Sequence, residues 1–124
     1  MATINGKSNH VQQGTWRSIW PAMGTADAGT PDQLSRYPMH SVQFGATDPL
    51  TGTAGATFGG ATAVLEGSDD GVTYFTLKDR FGNAVSTVSA ARFDVEAVPQ
   101  HIRPRTSGGT GTVLTVIVTS HPQS

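Results

Sequence analysis

Cysteine is absent from this 124-residue chain, so it has neither a disulfide frame nor a thiolate metal site. Charge is scarce as well: 14% of the residues are Asp, Glu, Lys or Arg, against about 25% in an ordinary domain. The formal net charge is −1, which argues against a nucleic-acid partner, since that would call for a basic face. Glutamate occurs only as Glu66 and Glu96, so a paired-carboxylate glycosidase has little to build on. No apolar run approaches the roughly 20 residues of a spanning helix. The opening Met1-Ala-Thr-Ile-Asn-Gly-Lys7 lacks the apolar core of a secretory signal. These absences set the expectation of a protein made and assembled in the cytoplasm, with no membrane and no nucleic-acid partner.

What fills the chain instead is threonine, glycine, serine and alanine, with 36% hydrophobic residues. That length gives room for one domain with its own core. The composition suits short strands joined by many turns, and also a surface that is buried against neighbours, where charge is depleted. Ala61, Ala63 and Leu65 alternate with Thr62, Val64 and Glu66, and Phe75 and Leu77 alternate with Tyr74 and Thr76. A period of two is the mark of a half-buried strand. Between these runs, Gly67-Ser-Asp-Asp-Gly71 supplies residues that bond their own backbone or accept positive φ, so 61–77 reads as a hairpin.

The same alternation predicts strands at 15–20, 38–46, 85–88, 91–98, 100–106 and 112–119, about eight in all. Thr15–Met23 could also be read as a short helix, but Pro21 and Gly24 would interrupt it, and aromatics suit a pleated surface. Phe93, Val95 and Ala97 are expected to face in, with Arg92, Asp94 and Glu96 facing out and Arg103 and Arg105 nearby in a balanced surface cluster. Pro104 inside a strand points to an edge or a bulge. The last strand is apolar on both faces, Leu114, Val116 and Val118 against Val113 and Ile117, so it is central or meets another subunit. Residues 24–37 and 47–60 read as loops, the second a long flap. Residues 1–14 are polar without period and read as an extended N-terminal arm, leaving 15–124 as the domain. The fold class is all-β, an antiparallel β-sandwich of the jelly-roll or immunoglobulin-like kind.

The candidate chemistry is thin. Ser68-Asp69-Asp70 lacks the spaced oxygen ligands of a calcium loop. His10, His40, His101 and His121 have no pair at metal-ligand spacing. The glycines of 52–60 lack a phosphate loop's lysine and its strand–loop–helix setting, and no nucleophile elbow is present. The expectation is no enzyme, no cofactor and no metal. Trp16 and Trp20 suit packing at the core edge or a subunit contact better than stacking on sugars.

Three stretches carry a resemblance: Leu65-Glu-Gly-Ser-Asp-Asp-Gly-Val-Thr-Tyr-Phe-Thr-Leu77, Asp79-Arg-Phe-Gly-Asn-Ala84, and His101-Ile-Arg-Pro-Arg-Thr-Ser-Gly-Gly-Thr-Gly111. In that order they resemble small virion proteins of tailed bacteriophages, with Asp27–Pro31 and Ser41–Phe44 fitting upstream, over about residues 16–119. Tyr74 and Phe75 stand where that pattern often has a tryptophan, and His101 where it often has a tyrosine. The resemblance implies a structural role, first of all a capsid decoration (cement) protein. Such a protein is a homo-oligomer, with a trimer favoured, bound to the major capsid protein on the outer surface of the virion. Trp16, Trp20, Val113 and Ile117 are the candidate oligomer or capsid contacts. The runner-up is a carbohydrate-binding or structural module of a tail fibre or baseplate.

Overall fold

The computed structural model describes residues 3–12, 15–34, 37, 39–96 and 99–121, with no side-chain description for 10–12. Ala97, Gln13, Gly14 and the tail 122–124, which figured in the expectations above, lie outside the described residues.

Among the described residues, twelve strands form two six-stranded sheets packed face to face. They are β1 (Thr3–Ile4), β2 (Lys7–Gln12), β3 (Thr15–Met23), β4 (Ala28–Gly29), β5 (Met39–Phe44) and β6 (Ala56–Thr57), then β7 (Thr62–Ser68), β8 (Phe75–Thr76), β9 (Ser86–Thr87), β10 (Ala91–Val95), β11 (His101–Ser107) and β12 (Val113–His121). The first sheet runs β1-β4-β11-β7-β8, with β9 also on β7. The second runs β10-β5-β12-β3-β2, with β6 also on β12. From β5 onward the longer strands alternate between sheets, so the chain keeps crossing the sandwich. Four strands beyond the eight expected, β1, β2, β4 and β6, come from the segments read as arm and loops.

Alternation places the core. Ala63 and Leu65 on β7, Ile102 on β11, Val42 and Phe44 on β5 and Leu114, Val116 and Val118 on β12 are all fully buried between the sheets. The largest fully buried side chain of the described residues is Trp20, 1% exposed, whose indole N–H donates to the Thr30 carbonyl at 2.8 Å. Gly6 and Gly29 let backbone close on that ring: a Cβ at Gly6 would lie 2.7 Å from Nε1, and one at Gly29 2.6 Å from Cδ1. Burying a tryptophan removes 150–250 Å² from water, and at ~25 cal/mol per Å² it is among the largest apolar contributions of any one residue.

Both open sides of the sandwich are closed by chain. On one side β1 pairs parallel with β4 in the first sheet, and Asn5-Gly6 then carries the chain into β2, which pairs with β3 in the second. Residues 3–12 of the segment read as an extended arm are therefore built into the seam. On the other side the 78–84 hairpin leaves the first sheet between β8 and β9, and its Arg80 N–H donates to the Asp94 carbonyl on β10.

Pro104 lies in an interior strand in unbroken register with β7, against the expectation of an edge or a bulge. Ile102 N–H donates to the Asp32 carbonyl and Thr106 N–H to that of Asp27. Position 104 points to the same side by alternation, where β4 pairs with β11 only at Arg105. The missing donor falls where the ladder is already interrupted.

Candidate functional site

The outer face of the second sheet carries a cleft. β3 bulges against β12: Trp20 pairs with Val116 and Met23 with Leu114, so Pro21 and Ala22 oppose Thr115 alone. A proline has no N–H for the ladder, and a bulge accommodates it. The cost appears at Ala22, which sits at φ 54°, a left-handed conformation uncommon for a residue with a Cβ. Beside the bulge, the chain after β5 folds back onto the sheet. Asp48 N–H donates to the Thr53 carbonyl, Gly52 N–H to Asp48, Gly55 N–H to Ala46, and Thr115 N–H to Gly55. The stretch 47–55 is thus a hydrogen-bonded wall.

One ion pair ties that wall to the sheet edge. Lys7 Nζ lies 2.6 Å from Asp48 Oδ2, with the lysine side chain 36% exposed and the aspartate 3%. The Lys7 hydrogen bond holds the Asp48 carboxyl below the usual carboxylate range, aided by the Leu50 N–H and opposed by burial. Lys7 pairs with Ile19, and Ile19 with Ile117, so these side chains share the outer face. Between wall and bulge lies a half-open space of about 280 Å³, lined by Pro21, Ala22, Ala54, Val113 and Thr115 with the Lys7–Asp48 pair beside them.

Val113 stands at this cleft, 45% exposed. Ile117 is half-buried on the same face, four residues along β12. Trp16 and Trp20 belong to the inner face. Trp16 is half-buried and packed on the core, and Trp20 is taken up by the core and offers no surface to a partner. The structure therefore brings together two of the four nominated residues and separates them from the other two. Reasoning from sequence missed Lys7, Asp48 and Ala22. Asp48 fell within the loop read at 47–60, but nothing local in the sequence signals a pair with Lys7.

A second region lies along the β8–β9 edge of the first sheet. Val72, Phe75, Phe81 and Val88 are 82%, 55%, 79% and 64% exposed, and all fall within 72–88. Phe81 stands on the 78–84 hairpin. Asp79 organises the tip: its Oδ1 accepts from the N–H groups of Phe81 and Asn83, and its carbonyl from Gly82.

The acidic turn before this edge is closed on itself. Asp70 Oδ1 accepts from the N–H groups of Val72 and Thr73 and from the Ser68 hydroxyl. Those bonds, the backbone ones first, lower its carboxyl to about 2. Asp69 accepts from the Gln100 N–H. The arginine cluster pairs differently from the expected Asp94 and Glu96 grouping. Arg92 meets Asp94 at 2.9 Å, but Arg103 and Arg105 both reach the buried Glu66, at 3.0 and 3.7 Å. The Arg103 guanidinium also lies 3.6 Å over the Tyr74 ring.

His40 is buried on the inner face, its Nδ1 2.9 Å from the Ser120 hydroxyl. Burial, and next the nearby His121, pushes its imidazole down to about 4. Among the described residues no three His, Asp or Glu side chains are grouped so as to hold a metal ion.

No protein-family model matches the sequence, and no curated protein matches it either. Solved structures do share its fold. The SPBc2 prophage-derived protein YomS superposes with a TM-score of 0.58 at 11% identity, over 90% of this chain and 98% of that one. An RmlC-like cupin protein from Desulfovibrio desulfuricans gives a TM-score of 0.44 at 8% identity, over 97% and 85% of the two chains. The cupin domain of Schizosaccharomyces pombe Cnp3 gives 0.42 at 8%, over 94% and 59%. The likeness to YomS is one of architecture, and the two cupins are too distant to argue from.

Proposed function

We propose that the chain is a structural protein of a tailed-phage virion, of the capsid decoration kind. It binds the major capsid protein on the outer surface of the head, as a homo-oligomer with a trimer favoured, and steadies contacts between capsomers. Assembly takes place in the host cytoplasm, and the protein is not an enzyme.

The observation that carries this reading is where the exposed large apolar side chains lie. Leu50 and Val113 stand on or beside the cleft of the second sheet, and Val72, Phe75, Phe81 and Val88 along the edge of the first. Exposed large apolar residues on a body with few charges suit a protein that works by contact. The phage assignment draws on the sequence stretches 65–77, 79–84 and 101–111. The fold shared with a prophage-derived protein of similar length also favours it. The runner-up, a sugar-binding tail module, calls for an open aromatic platform. Trp20 is in the core and Tyr74 lies under Arg103, which weakens that reading.

Purified protein added to heads that lack it, followed by imaging, tests the assignment. The expected result is extra density on the outer surface at capsomer boundaries, together with heads that resist heating better. Heads that stay bare, or density confined to the tail, would overturn it.

A further inference from the structure

We infer that copies of this chain join head to tail, the Phe81 ring of one copy seated in the cleft between the 47–55 wall and the Pro21–Ala22 bulge of the next. The inference builds on the homo-oligomer half of the proposed function and assigns its contact.

The donor side is a rigid knob. Phe81 is 79% exposed at the tip of a hairpin fixed by the Asp79 carboxylate and by the Arg80 bond to Asp94. Arg80 lies 5.6 Å from the ring centroid, which steadies one face of the ring and leaves the rest of it in water. A pre-ordered aromatic loses little conformational freedom on docking, and such residues are the usual anchors of protein contacts.

The receiving side fits an uncharged aromatic ring. The cleft, about 280 Å³, has Pro21, Ala22, Ala54 and Val113 on its walls beside Thr51, Thr53 and Thr115, and it takes a phenyl group with room to spare, since a ring fits in about 150 Å³. Its two charges, Lys7 and Asp48, neutralise each other at 2.6 Å. An incoming ion finds no uncompensated partner, and Asp48 is already out of water, so an apolar side chain has only the exposed third of Lys7 left to cover. The wall is already hydrogen-bonded, so the cleft exists before anything enters it.

A chain cannot fill its own cleft. Asp94, where the hairpin is tied, pairs with Ser41, and Ser41 with Thr119. From there to Val113 and Thr115 is two strands across and four to six residues along β12, roughly 15–20 Å by strand spacing. Knob and cleft are different patches, and in the head-to-tail arrangement the contact repeats around a ring when its rotation closes. A phenyl ring brings about 150–250 Å², only part of the ~800 Å² each partner brings to a stable interface. In a ring every copy makes the contact twice, once with knob and once with cleft.

Sedimentation of the full chain over a concentration series, without capsids, tests the arrangement. The wild type is expected to form one discrete oligomer. Phe81→Ser and Val113→Glu should each weaken association about 30-fold or more, the loss typical of an anchor residue. Both positions are exposed, so circular dichroism and melting should be unchanged; if Val113→Glu fails to fold, Ala54→Trp blocks the same cleft. Mixing gives the decisive arm. A knobless copy keeps its cleft and a blocked copy keeps its knob, so the mixture should form a two-chain complex and nothing larger. A monomeric wild type, an oligomer indifferent to both substitutions, or a mixture that stays monomeric overturns the proposal. Capsid binding is scored separately. A monomer that still decorates heads sinks the ring and spares the decoration reading; a ring that binds no head does the reverse.

Discussion

Two loops of this molecule each turn on an aspartate, and they use it in opposite ways. The partners of Asp70 are Ser68, Val72 and Thr73, all within its own turn. The charged partner of Asp48 is Lys7, on the edge strand of a sheet. Both carboxyls are held below their ordinary range, one chiefly by backbone N–H groups and the other chiefly by an ammonium. A carboxylate satisfied locally shapes its turn and makes no demand on the rest of the chain. One satisfied at a distance fixes a loop against a sheet, and here that creates the wall of a cleft.

The largest effect comes from neither loop and has to be cleared before the two are compared in acid. His40 is neutral in the folded protein down to about pH 4, while the unfolded chain takes up a proton below about 6.5. Its contribution is therefore complete above 6.5 and is lost as the pH falls to 4, a drop of about 3 kcal/mol. Urea unfolding at a series of pH values should show that slope, and His40→Leu should flatten it.

Next comes the long-range pair itself. Removing one member of a buried ion pair costs about 3–5 kcal/mol. Lys7 is a third exposed, which reduces this to about 2–3 kcal/mol for Asp48→Ala. The double variant Lys7→Met with Asp48→Leu should recover much of the loss, since no charge is then left buried. The sign in acid follows from the lowered carboxyl. The Asp48 contribution is present above about 3.9 and disappears as the pH falls through its depressed folded value. If Asp48→Ala costs no more than Asp70→Ala in the same denaturant series, the contrast between the loops is gone.

That contrast also marks what could be read from the chain. The hairpin around Asp70 was legible because the glycines, the acidic pair and the flanking alternation all lie within one window. The strands at 39–44, 62–68 and 113–121 were legible for the same reason, their faces set by a period of two. Lys7–Gln12 was not, because an edge strand exposed to water can be polar throughout, and its pairing with β3 leaves no local pattern. The loop at 47–60 looked poor in core residues, yet Phe58 is 9% exposed and Asp48 2%. Their burial comes from the sheet beneath them. Trp20 was open between core and contact for a similar reason: alternation tells which face a side chain is on, and only the packed sheets tell which face is inside.

Smaller effects sharpen the comparison at the backbone. A Cβ on Gly55 would come within 2.6 Å of the Thr115 N, so Gly55→Ala must push the wall off the sheet, at about 1–3 kcal/mol. Gly71 holds φ +74°, and a Cβ there would meet only the edge of the His101 ring, at 3.2 Å. Gly71→Ala should cost about 1 kcal/mol, the price of a left-handed alanine. Melting curves of the two variants should keep that order, and Gly55→Ala alone should disturb any contact made through the cleft.

The smallest expected effect is on added calcium. Asp69 and Asp70 stand side by side, the arrangement that invites an ion, but an ion needs free oxygen lone pairs converging on one point. Asp70 Oδ1 already accepts from three donors and Asp69 Oδ1 from the Gln100 N–H. A cation would have to displace N–H groups that the turn itself supplies and that hold the carboxyl near 2. Millimolar calcium should therefore leave the melting temperature unchanged, in the wild type and in Asp70→Asn alike. A rise in the wild type that Asp70→Asn abolishes would mean that the turn opens to take a ligand, and that its self-contained geometry is only one of its states.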